Sequence, residues 1–193
     1  MSDRELIDVF KDRRALLEGH FKLSSGLHSD TYLQCAKVLE DPRVGEDLCR
    51  RLAEKWSGTA VDVVVGPAMG AVVMAYELAR ALGCRGLFAE RRDGQMMLRR
   101  GFVVEPRERV MVVEDVVTTG KSTREVVAVL EQVGCTVVGV SSLVNRSGTN
   151  PFDPLPFESL LTVTPETWQP EACPLCARGV PIDEPGSRRA TGG

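Results

Sequence analysis

The stretch of sequence that decides the fold runs from residue 110 to residue 122 and reads Val110-Met111-Val112-Val113-Glu114-Asp115-Val116-Val117-Thr118-Thr119-Gly120-Lys121-Ser122. Its first four residues are apolar, as is typical of a strand buried in a parallel sheet. Two adjacent carboxylates follow, and ionised carboxylates at the end of a buried strand need partners. Because the hydroxyl groups of a ligand would supply them, we interpret Glu114 and Asp115 as ligand-binding acids.

The loop after the acids has the parts of an anion site. It combines a glycine for close approach with the N–H groups and positive dipole end of a predicted helix. Hydroxyl donors come from Thr118, Thr119, Ser122 and Thr123. A phosphate in this loop, with two acids a sugar ring away, describes a ribose 5-phosphate. The alternative is a helix cap at Thr119 with a surface turn at Asp115, although a cap requires only a single such residue.

The end of this loop also resembles a nucleotide P-loop, through Gly120-Lys121-Ser122. That motif requires another glycine five residues before Gly120, and this chain has Asp115 there. We therefore exclude a P-loop. A general Rossmann-like cofactor domain is disfavoured as well, because no predicted strand is followed by G-x-G-x-x-G.

Short β-branched runs alternate with helical segments over the middle of the chain. The predicted strands cover residues 61–65, 86–89, 110–113 and 136–144, and the predicted helices cover residues 71–82 and 122–133. Helical spacing also predicts helices over residues 6–17 and 44–56, with a strand or hairpin arm over residues 31–39. This alternation predicts an α/β fold with an open, mainly parallel sheet flanked by helices. Ligands of such sheets bind beyond the carboxyl ends of the strands.

Length and charge limit the domain count and the partners. The chain has 193 residues, and we predict a single domain over residues 1–183 with a flexible tail over residues 184–193. Within it we expect an N-terminal segment of about 1–40, a core of about 41–150 and a proline-rich segment over 151–183. A net charge of -3 disfavours nucleic acid as a partner. No apolar run suits a bilayer and the first residues lack a signal-peptide layout, so we expect no membrane association and a cytoplasmic location.

The strand, the acidic pair and the small-residue loop together resemble the signature of the type I phosphoribosyltransferases. In that family the acidic pair holds the ribose 2- and 3-hydroxyls, and the loop holds the 5-phosphate. The resemblance also implies a catalytic role for Asp115. It implies ribose 5-phosphate binding by the whole run of Glu114, Asp115, Val116, Val117, Thr118, Thr119, Gly120, Lys121 and Ser122.

Three further segments resemble the orotate phosphoribosyltransferases within that family, so that the likeness covers roughly residues 15–150. The segment from Gly19 to Tyr32 resembles the family's N-terminal base-binding (hood) region, and the segment from Gly66 to Val72 resembles its pyrophosphate loop. The resemblance implies orotate binding by Ser25, Gly26, Tyr32 and Arg146, and pyrophosphate binding by Ala68, Met69 and Gly70. The planar fork of Arg146 suits the carboxylate of orotate.

This chain departs from the family pattern at two positions of these segments. Ser24 stands where a lysine usually precedes Ser-Gly, and Lys22 is the candidate to replace that lysine. The second basic residue that is common in the pyrophosphate loop is missing after Met69.

Residues 90–101 occupy the place of the family's mobile lid, which closes over the neighbouring subunit's site. Arg91 and Arg92 match the first basic pair of that lid, and the resemblance implies a catalytic role for both. The further lysine and the histidine or tyrosine usual in the lid are absent, and Arg99 or Arg100 are the candidates to replace them.

The resemblance implies transfer of ribose 5-phosphate from phosphoribosyl pyrophosphate to orotate, giving orotidine 5-phosphate in pyrimidine biosynthesis. Such a transfer passes through a cation-like ribosyl centre and requires no protein nucleophile. We expect Mg2+ as the cofactor, held by substrate oxygens and waters with no dedicated protein ligands. Shared lids imply a homodimer. A purine-type phosphoribosyltransferase and a regulatory protein that senses phosphoribosyl pyrophosphate remain alternatives.

The six cysteines fall into two groups. Cys35, Cys49, Cys84 and Cys135 lie among apolar segments, and we expect them to be reduced and buried. Cys173 and Cys176 have the spacing of half a zinc site, but no second pair or histidine follows them. We favour a plain structural role for this pair, with an intersubunit or partial metal site and a redox pair as alternatives. For the two histidines, we favour packing or a turn for His20 and leave the role of His28 open.

Overall fold

The computed structural model describes residues 3–185. The strands in chain order are β1 (Leu16–Lys22), β2 (His28–Leu33), β3 (Val63–Pro67), β4 (Arg85–Arg92), β5 (Gln95–Leu98), β6 (Arg109–Val117), β7 (Thr136–Asn145), β8 (Phe157–Thr162) and β9 (Thr167–Trp168). The helices are α1 (Asp3–Asp12), α2 (Ala36–Leu39), α3 (Pro42–Glu54), α4 (Val72–Leu82), α5 (Lys121–Val133) and α6 (Pro174–Ala177), with a 3-10 turn at Pro170–Ala172 before α6.

Six strands form the main sheet, in the order β5-β4-β3-β6-β7-β8. All neighbouring pairs are parallel except β4 with β5, which run antiparallel at one edge. The carboxyl ends of β3, β4, β6 and β7 therefore meet along one edge of the sheet. This arrangement confirms the predicted α/β class with an open, mainly parallel sheet.

Helices cover both faces of this sheet. On one face, Phe10 of α1, Leu52 of α3 and Leu78 of α4 join a core cluster with Val64 of β3. On the other face, Leu130 of α5 packs in a second cluster with neighbouring strand residues of β3 and β6. The central strand β3 is fully buried because its side chains alternate between these two clusters.

A second, smaller sheet has the order β1-β2-β9 and is antiparallel throughout. Its first two strands form a hairpin, and its third strand comes from residues 167–168 near the other end of the chain. A single bridge between Phe21 and Asp183 adds a second link to that end. We call this three-stranded unit the hood.

Several boundaries differ from the sequence-based expectation. Helix α1 ends at Asp12, five residues before Leu17, because Arg14 takes a positive φ of 56° that turns the chain into β1. Residues 36–39 form a short helix and not the end of a strand. Strand β8 belongs to the main sheet, so the predicted core of about 41–150 omits one of its strands.

The structure describes Glu184 and Pro185 of the predicted tail, and Glu184 forms an ion pair with Lys22 at 3.0 Å. Residues 186–193 of that tail lie outside the described residues. Within residues 3–185, no helix is both long enough and apolar enough to span a bilayer. The division into one domain over residues 1–183 stays a prediction.

Candidate active site

A crevice of about 910 Å³ lies between the hood and the edge of the main sheet. Residues from three predicted segments share its walls: the β1–β2 loop, the loop after β6, and the end of β7. Its lining consists of Lys22, Leu23, Ser24, Ser25, Gly26, Leu27, Tyr32, Leu33, Thr118, Thr119, Arg146, Thr167 and Glu184. A smaller cavity of about 370 Å³ near Arg13 and Asp41 contains none of the predicted site residues.

The acidic pair lies inside strand β6 rather than after it, because β6 continues through Val117. Glu114 and Asp115 are half-buried. Burial raises the pKa of both carboxyl groups, and the neighbouring Asp115 raises the pKa of Glu114 further. The backbone N–H of Val116 donates to Oδ1 of Asp115 at 2.8 Å and works against that rise. The pair is therefore poised to gain from a ligand that offers hydroxyl donors or a cation.

The predicted pyrophosphate loop contacts this pair directly. A Cβ atom at Gly70 would stand 3.1 Å from both carboxylate oxygens of Asp115, which is tighter than ordinary van der Waals contact. Met69 projects into solvent with 83% of its surface exposed, and Ala68 donates its backbone N–H to the carbonyl of Ala89 at 2.7 Å. The structure thus brings Gly70 next to Asp115, although neither Ala68–Gly70 nor the acidic pair lines the crevice of 910 Å³ itself.

The predicted phosphate loop leads from β6 into α5. Gly120 has a φ of 70°, and a Cβ there would stand 2.6 Å from the ring of Phe152, so glycine is required on two grounds. Among residues 3–185, no side-chain hydrogen bond caps α5 at Gly120 itself, and the N–H of Lys121 makes only a long bond of 3.4 Å to Oγ1 of Thr119. The first turn of the helix therefore still offers N–H groups and its positive dipole end to an anion beside Thr118 and Thr119.

Two residues near this loop differ from the sequence-based reading. The hydroxyl of Thr123 was expected to face the anion, but Thr123 is fully buried and its Oγ1 has no hydrogen-bond partner among the described residues. Arg124, which the sequence did not single out, donates to the carbonyl of Thr119 at 2.7 Å and to that of Pro151 at 3.0 Å. These two bonds hold the loop from behind.

Arg146 follows β7 and reaches the crevice with a partly buried guanidinium group. Its backbone N–H donates to the carbonyl of Val117 at 2.7 Å, which fixes the residue beside the phosphate loop. Burial lowers the pKa of the guanidinium. Its Nε is buried without a hydrogen-bond partner among residues 3–185. A buried charged donor without a partner is costly, and a ligand carboxylate would satisfy it.

The predicted base-binding residues Ser25, Gly26 and Tyr32 all line the crevice opposite Arg146. Ser24 lines it as well, and so does Lys22, which was the candidate to replace the usual lysine. Thr167 of β9 is a lining residue that the sequence did not indicate, since a strand of two residues leaves no periodic signal.

The predicted lid forms a hairpin and not a loop. Strands β4 and β5 are joined at Asp93 and Gly94, which both have positive φ, as a tight hairpin turn requires. Arg91 pairs with Glu125 of α5, and Arg92 lies 3.5 Å from Asp93. Neither arginine lines the crevice of its own chain. Arg99 and Arg100 both pair with Glu90.

The predicted buried cysteines are free thiols. Cys35, Cys49 and Cys135 are buried, whereas Cys84 is only half-buried. Burial raises the pKa of Cys35 well above its usual range, and the nearby Asp115 and Glu114 raise it further.

The fold and this site define a phosphoribosyltransferase: an uncapped helix end beside an acidic pair at the carboxyl edge of a parallel sheet, under a separate hood. The family model described as the phosphoribosyl transferase domain matches residues 36–171. The relative from Caldicellulosiruptor saccharolyticus, named orotate phosphoribosyltransferase, is 52% identical over 189 residues, which are 98% of this chain and 99% of the relative. The relative of the same name from Carboxydothermus hydrogenoformans is 54% identical over 187 residues, 96% of this chain and 98% of the relative.

Solved structures agree with these sequence relatives. The crystal structure of orotate phosphoribosyltransferase from Aeropyrum pernix is 30% identical and superposes with a TM-score of 0.65, over 82% of this chain and 93% of that one. The enzyme of that name from Mycobacterium tuberculosis, in complex with Fe(III) dicitrate, is 26% identical with a TM-score of 0.69, over 84% of this chain and 97% of that one. The chain belongs to the orotate phosphoribosyltransferase family.

Proposed function

We propose that this protein transfers ribose 5-phosphate from phosphoribosyl pyrophosphate to orotate, giving orotidine 5-phosphate and pyrophosphate in pyrimidine biosynthesis. The choice of base rests on Arg146, whose Nε is buried without a hydrogen-bond partner among the described residues, and which lines the same crevice as Ser25 and Gly26. Among nucleobases, a ring that bears a carboxylate suits this donor best. The near full-length identity to relatives named orotate phosphoribosyltransferase supports the same choice.

The reaction breaks the bond between the ribose C1 atom and pyrophosphate and forms a bond from C1 to a ring nitrogen of orotate. We assign the ribose hydroxyls to Glu114 and Asp115, which accept hydrogen bonds from them. The first N–H groups of α5, with Thr118, Thr119 and Ser122, hold the 5-phosphate, and the backbone of Ala68–Gly70 holds the pyrophosphate. Positive charge that builds on the ribosyl ring lies next to the acids, which stabilise it. The chain's part is to orient both substrates and exclude water.

Mg2+ is the cofactor we expect at this site. Carboxylate oxygens are its preferred protein ligands, and Asp115, which lies against Gly70, is the residue that would face it. When bound, the ion would neutralise charge on the departing pyrophosphate. We keep the expectation that substrate oxygens and waters supply most of its coordination.

We propose a homodimer in which each chain supplies Arg91 and Arg92 to the neighbouring site. Both side chains are exposed on the β4–β5 hairpin and stand outside the crevice of their own chain. If the hairpin of one protomer closed over the site of the other, the positive charges of these two arginines would stabilise the departing pyrophosphate there. A cytoplasmic location and an absence of nucleic-acid partners stay predictions.

The test follows the absorbance of orotate on mixing the purified protein with orotate, phosphoribosyl pyrophosphate and Mg2+. The wild type should consume orotate and release pyrophosphate in equal amounts. Asp115→Asn keeps the shape of the side chain but removes its charge, and should lower the rate by about 10²–10³-fold. Asp12→Asn, at an exposed position of α1, is the matched control and should not change the rate.

The outcomes separate the alternatives. Turnover of a purine base in place of orotate would identify a purine-type enzyme. Binding of phosphoribosyl pyrophosphate without turnover of any base would identify a sensor. Either result would overturn the assignment of orotate.

A further inference from the structure

Four side chains, two from the hood hairpin and two from near the C-terminal end of the described chain, meet beside β1 and β2. They are His20 of β1, His28 of β2, Cys173, and Cys176 of α6, and we call them the His-Cys cluster. One ligand atom from each lies within 4.8 Å of all the others. Three of the side chains are buried, at 4% exposure for His20, 7% for His28 and 3% for Cys173, and Cys176 is exposed.

The spacing of these atoms is that of the corners of a tetrahedron around a zinc ion. Zinc–nitrogen bonds of about 2.0–2.1 Å and zinc–sulfur bonds of about 2.3 Å place tetrahedral ligand atoms roughly 3.3–3.8 Å apart. Nε2 of His20 is 3.1 Å from Nδ1 of His28 and 3.4 Å from Sγ of Cys173. Sγ of Cys176 is 3.7 Å from Nε2 of His20 and 3.3 Å from Nδ1 of His28.

Hydrogen bonds alone do not account for this convergence. Nδ1 of His20 lies 2.8 Å from the carbonyl oxygen of Val180, which can only accept, so Nδ1 is the nitrogen that donates there and the neutral tautomer has its free lone pair on Nε2. Nε2 of His20 then has one lone pair, yet the nitrogen of His28 and both sulfur atoms crowd around it. A metal ion at their centre uses that lone pair and those of the other three atoms together.

The bond from His20 to Val180 is also the support that a metal-binding histidine usually has. Such histidines donate their other ring N–H to a carbonyl or carboxylate, which fixes the tautomer and the direction of the ring. A set of two nitrogen and two sulfur ligands with no open position selects zinc over magnesium or calcium and is typical of a structural site.

We propose that the His-Cys cluster is a structural zinc site that fastens the C-terminal segment to the hood. The site is separate from the acidic pair and from the crevice residues named above. Its effect reaches the crevice through the chain, because His28 directly follows Leu27 of the β1–β2 loop that lines it. Loss of zinc should therefore loosen that loop.

The first measurement is the zinc content of protein purified without a polyhistidine tag and dialysed against a chelator. The wild type should retain zinc in stoichiometric amount. Cys176→Ser should lose it, and because Cys176 is exposed the variant is expected to fold. Cys84→Ser changes a half-buried thiol outside the cluster and should keep the zinc. Circular dichroism verifies that both variants are folded.

A second measurement replaces zinc with cobalt(II). The wild type should show the ligand-field bands of tetrahedral cobalt and a thiolate-to-cobalt charge-transfer band, and Cys176→Ser, which is expected not to retain the ion, should show neither. Metal removal should also lower the melting temperature, on the order of 5–10 °C. None of these readouts requires turnover, so a failure of the orotate assay would leave the zinc result intact.

Two results would overturn the proposal. One is a wild-type protein that neither retains zinc nor gives a tetrahedral cobalt spectrum after reconstitution. The other is a disulfide between Cys173 and Cys176 in protein that is alkylated anaerobically at lysis, since that pair would then be a redox pair.

With an active enzyme, and resting on the proposed function, Cys176→Ser should raise the KM for orotate more than the KM for phosphoribosyl pyrophosphate.

Discussion

The two sheets of this molecule are held together by different means. In the main sheet, Val63, Val64 and Val65 are completely buried between helices, and parallel ladders on both sides fix the strand. In the hood, β1 has only three buried residues out of seven, and the third strand has only two residues. The main sheet is stabilised by its core, whereas the hood depends on a few long-range links.

This difference matches a division of labour at the site. The groups that we assign to sugar, phosphate and pyrophosphate stand at the edge of the main sheet, in β6 or on loops that follow its buried strands. The groups that we assign to the base stand in the hood, on the β1–β2 loop and on β2, apart from Arg146, which follows β7. A reaction that needs exact placement of the ribose is thus built on the rigid part, and the choice of base on the part that is easier to alter.

The largest effect on activity is expected at Gly70, at the edge of the main sheet. Gly70→Val should lower kcat/KM by about 10²–10³-fold, because its side chain would displace the carboxylate of Asp115, which already stands 3.1 Å from a Cβ at this position. Steady-state kinetics measure the loss. Ala81→Val, at an exposed position of α4, should leave kcat/KM unchanged. Full activity in Gly70→Val would show that the edge of the sheet tolerates displacement.

The next effect is expected at Arg146, which joins the two regions. Arg146→Gln should raise the KM for orotate about 10–100-fold, because a charge-assisted bond to a buried guanidinium contributes about 1.5–3 kcal/mol. The KM for phosphoribosyl pyrophosphate should change much less. Initial rates at varied concentrations of each substrate separate the two. An equal rise in both values would mean that Arg146 supports the phosphate loop and not the base.

A smaller effect concerns stability and pH within the main sheet. The folded-state pKa of Glu114 is raised by burial, so the native protein holds a proton that the unfolded chain releases above the ordinary pKa of 4.5. The stability of the ligand-free wild type therefore falls as pH rises from that value through the raised pKa. Glu114→Gln lacks this cost and should be more stable by about 1–2 kcal/mol near pH 9.

Near pH 4 the free energy of unfolding of Glu114→Gln should differ little from that of the wild type, because Glu114 is then mostly protonated and, like glutamine, uncharged. Urea unfolding of the ligand-free proteins at the two pH values measures the difference. A variant that is less stable than wild type at high pH would contradict the assignment of the raised pKa to desolvation.

The smallest effect is expected in the hood. Tyr32→Phe should cost less than about 1 kcal/mol of folding stability, because the tyrosine hydroxyl reaches Gln34 only at 3.4 Å, a long hydrogen bond. Thermal unfolding of the ligand-free variant gives this value. A larger loss would show that the hood depends on single polar contacts as strongly as on its cross-links.

The sequence predicts the main sheet well, because its signals are local. The apolar run before Glu114 and the glycine before α5 both lie within residues 110–120, and helix α5 begins within one residue of its predicted start. Short motifs predict site roles for the acids, the phosphate loop, Arg146 and the residues Ser25, Gly26 and Tyr32, and these roles stay predictions. The structure then brings the last four into one crevice with Thr118 and Thr119.

The features that escaped prediction depend on distant partners. Strand β8 follows a run of prolines that masks it, and the two residues of β9 have no periodicity. The members of the His-Cys cluster lie up to 156 positions apart, and both histidines come far before Cys173 and Cys176 in the chain, where the spacing of a zinc motif gives no signal. One missed feature had a local signal: Asp93-Gly94 between short strands is a common hairpin turn and could have replaced the predicted lid loop.

The long-range links of the hood also determine when the hood can complete its folding during protein synthesis. His28 and Ser29 pair with residues 167–168, and His20 meets Cys173 across 153 positions, so both contacts wait for nearly the whole chain to leave the ribosome. The main sheet has all but its edge strand β8 once β7 has emerged. Nascent chains that stop before residue 167 should therefore contain most of the main sheet but an incomplete hood. The hairpin of β1 and β2 is among the first segments to be translated, and the hood that it belongs to is among the last parts to fold.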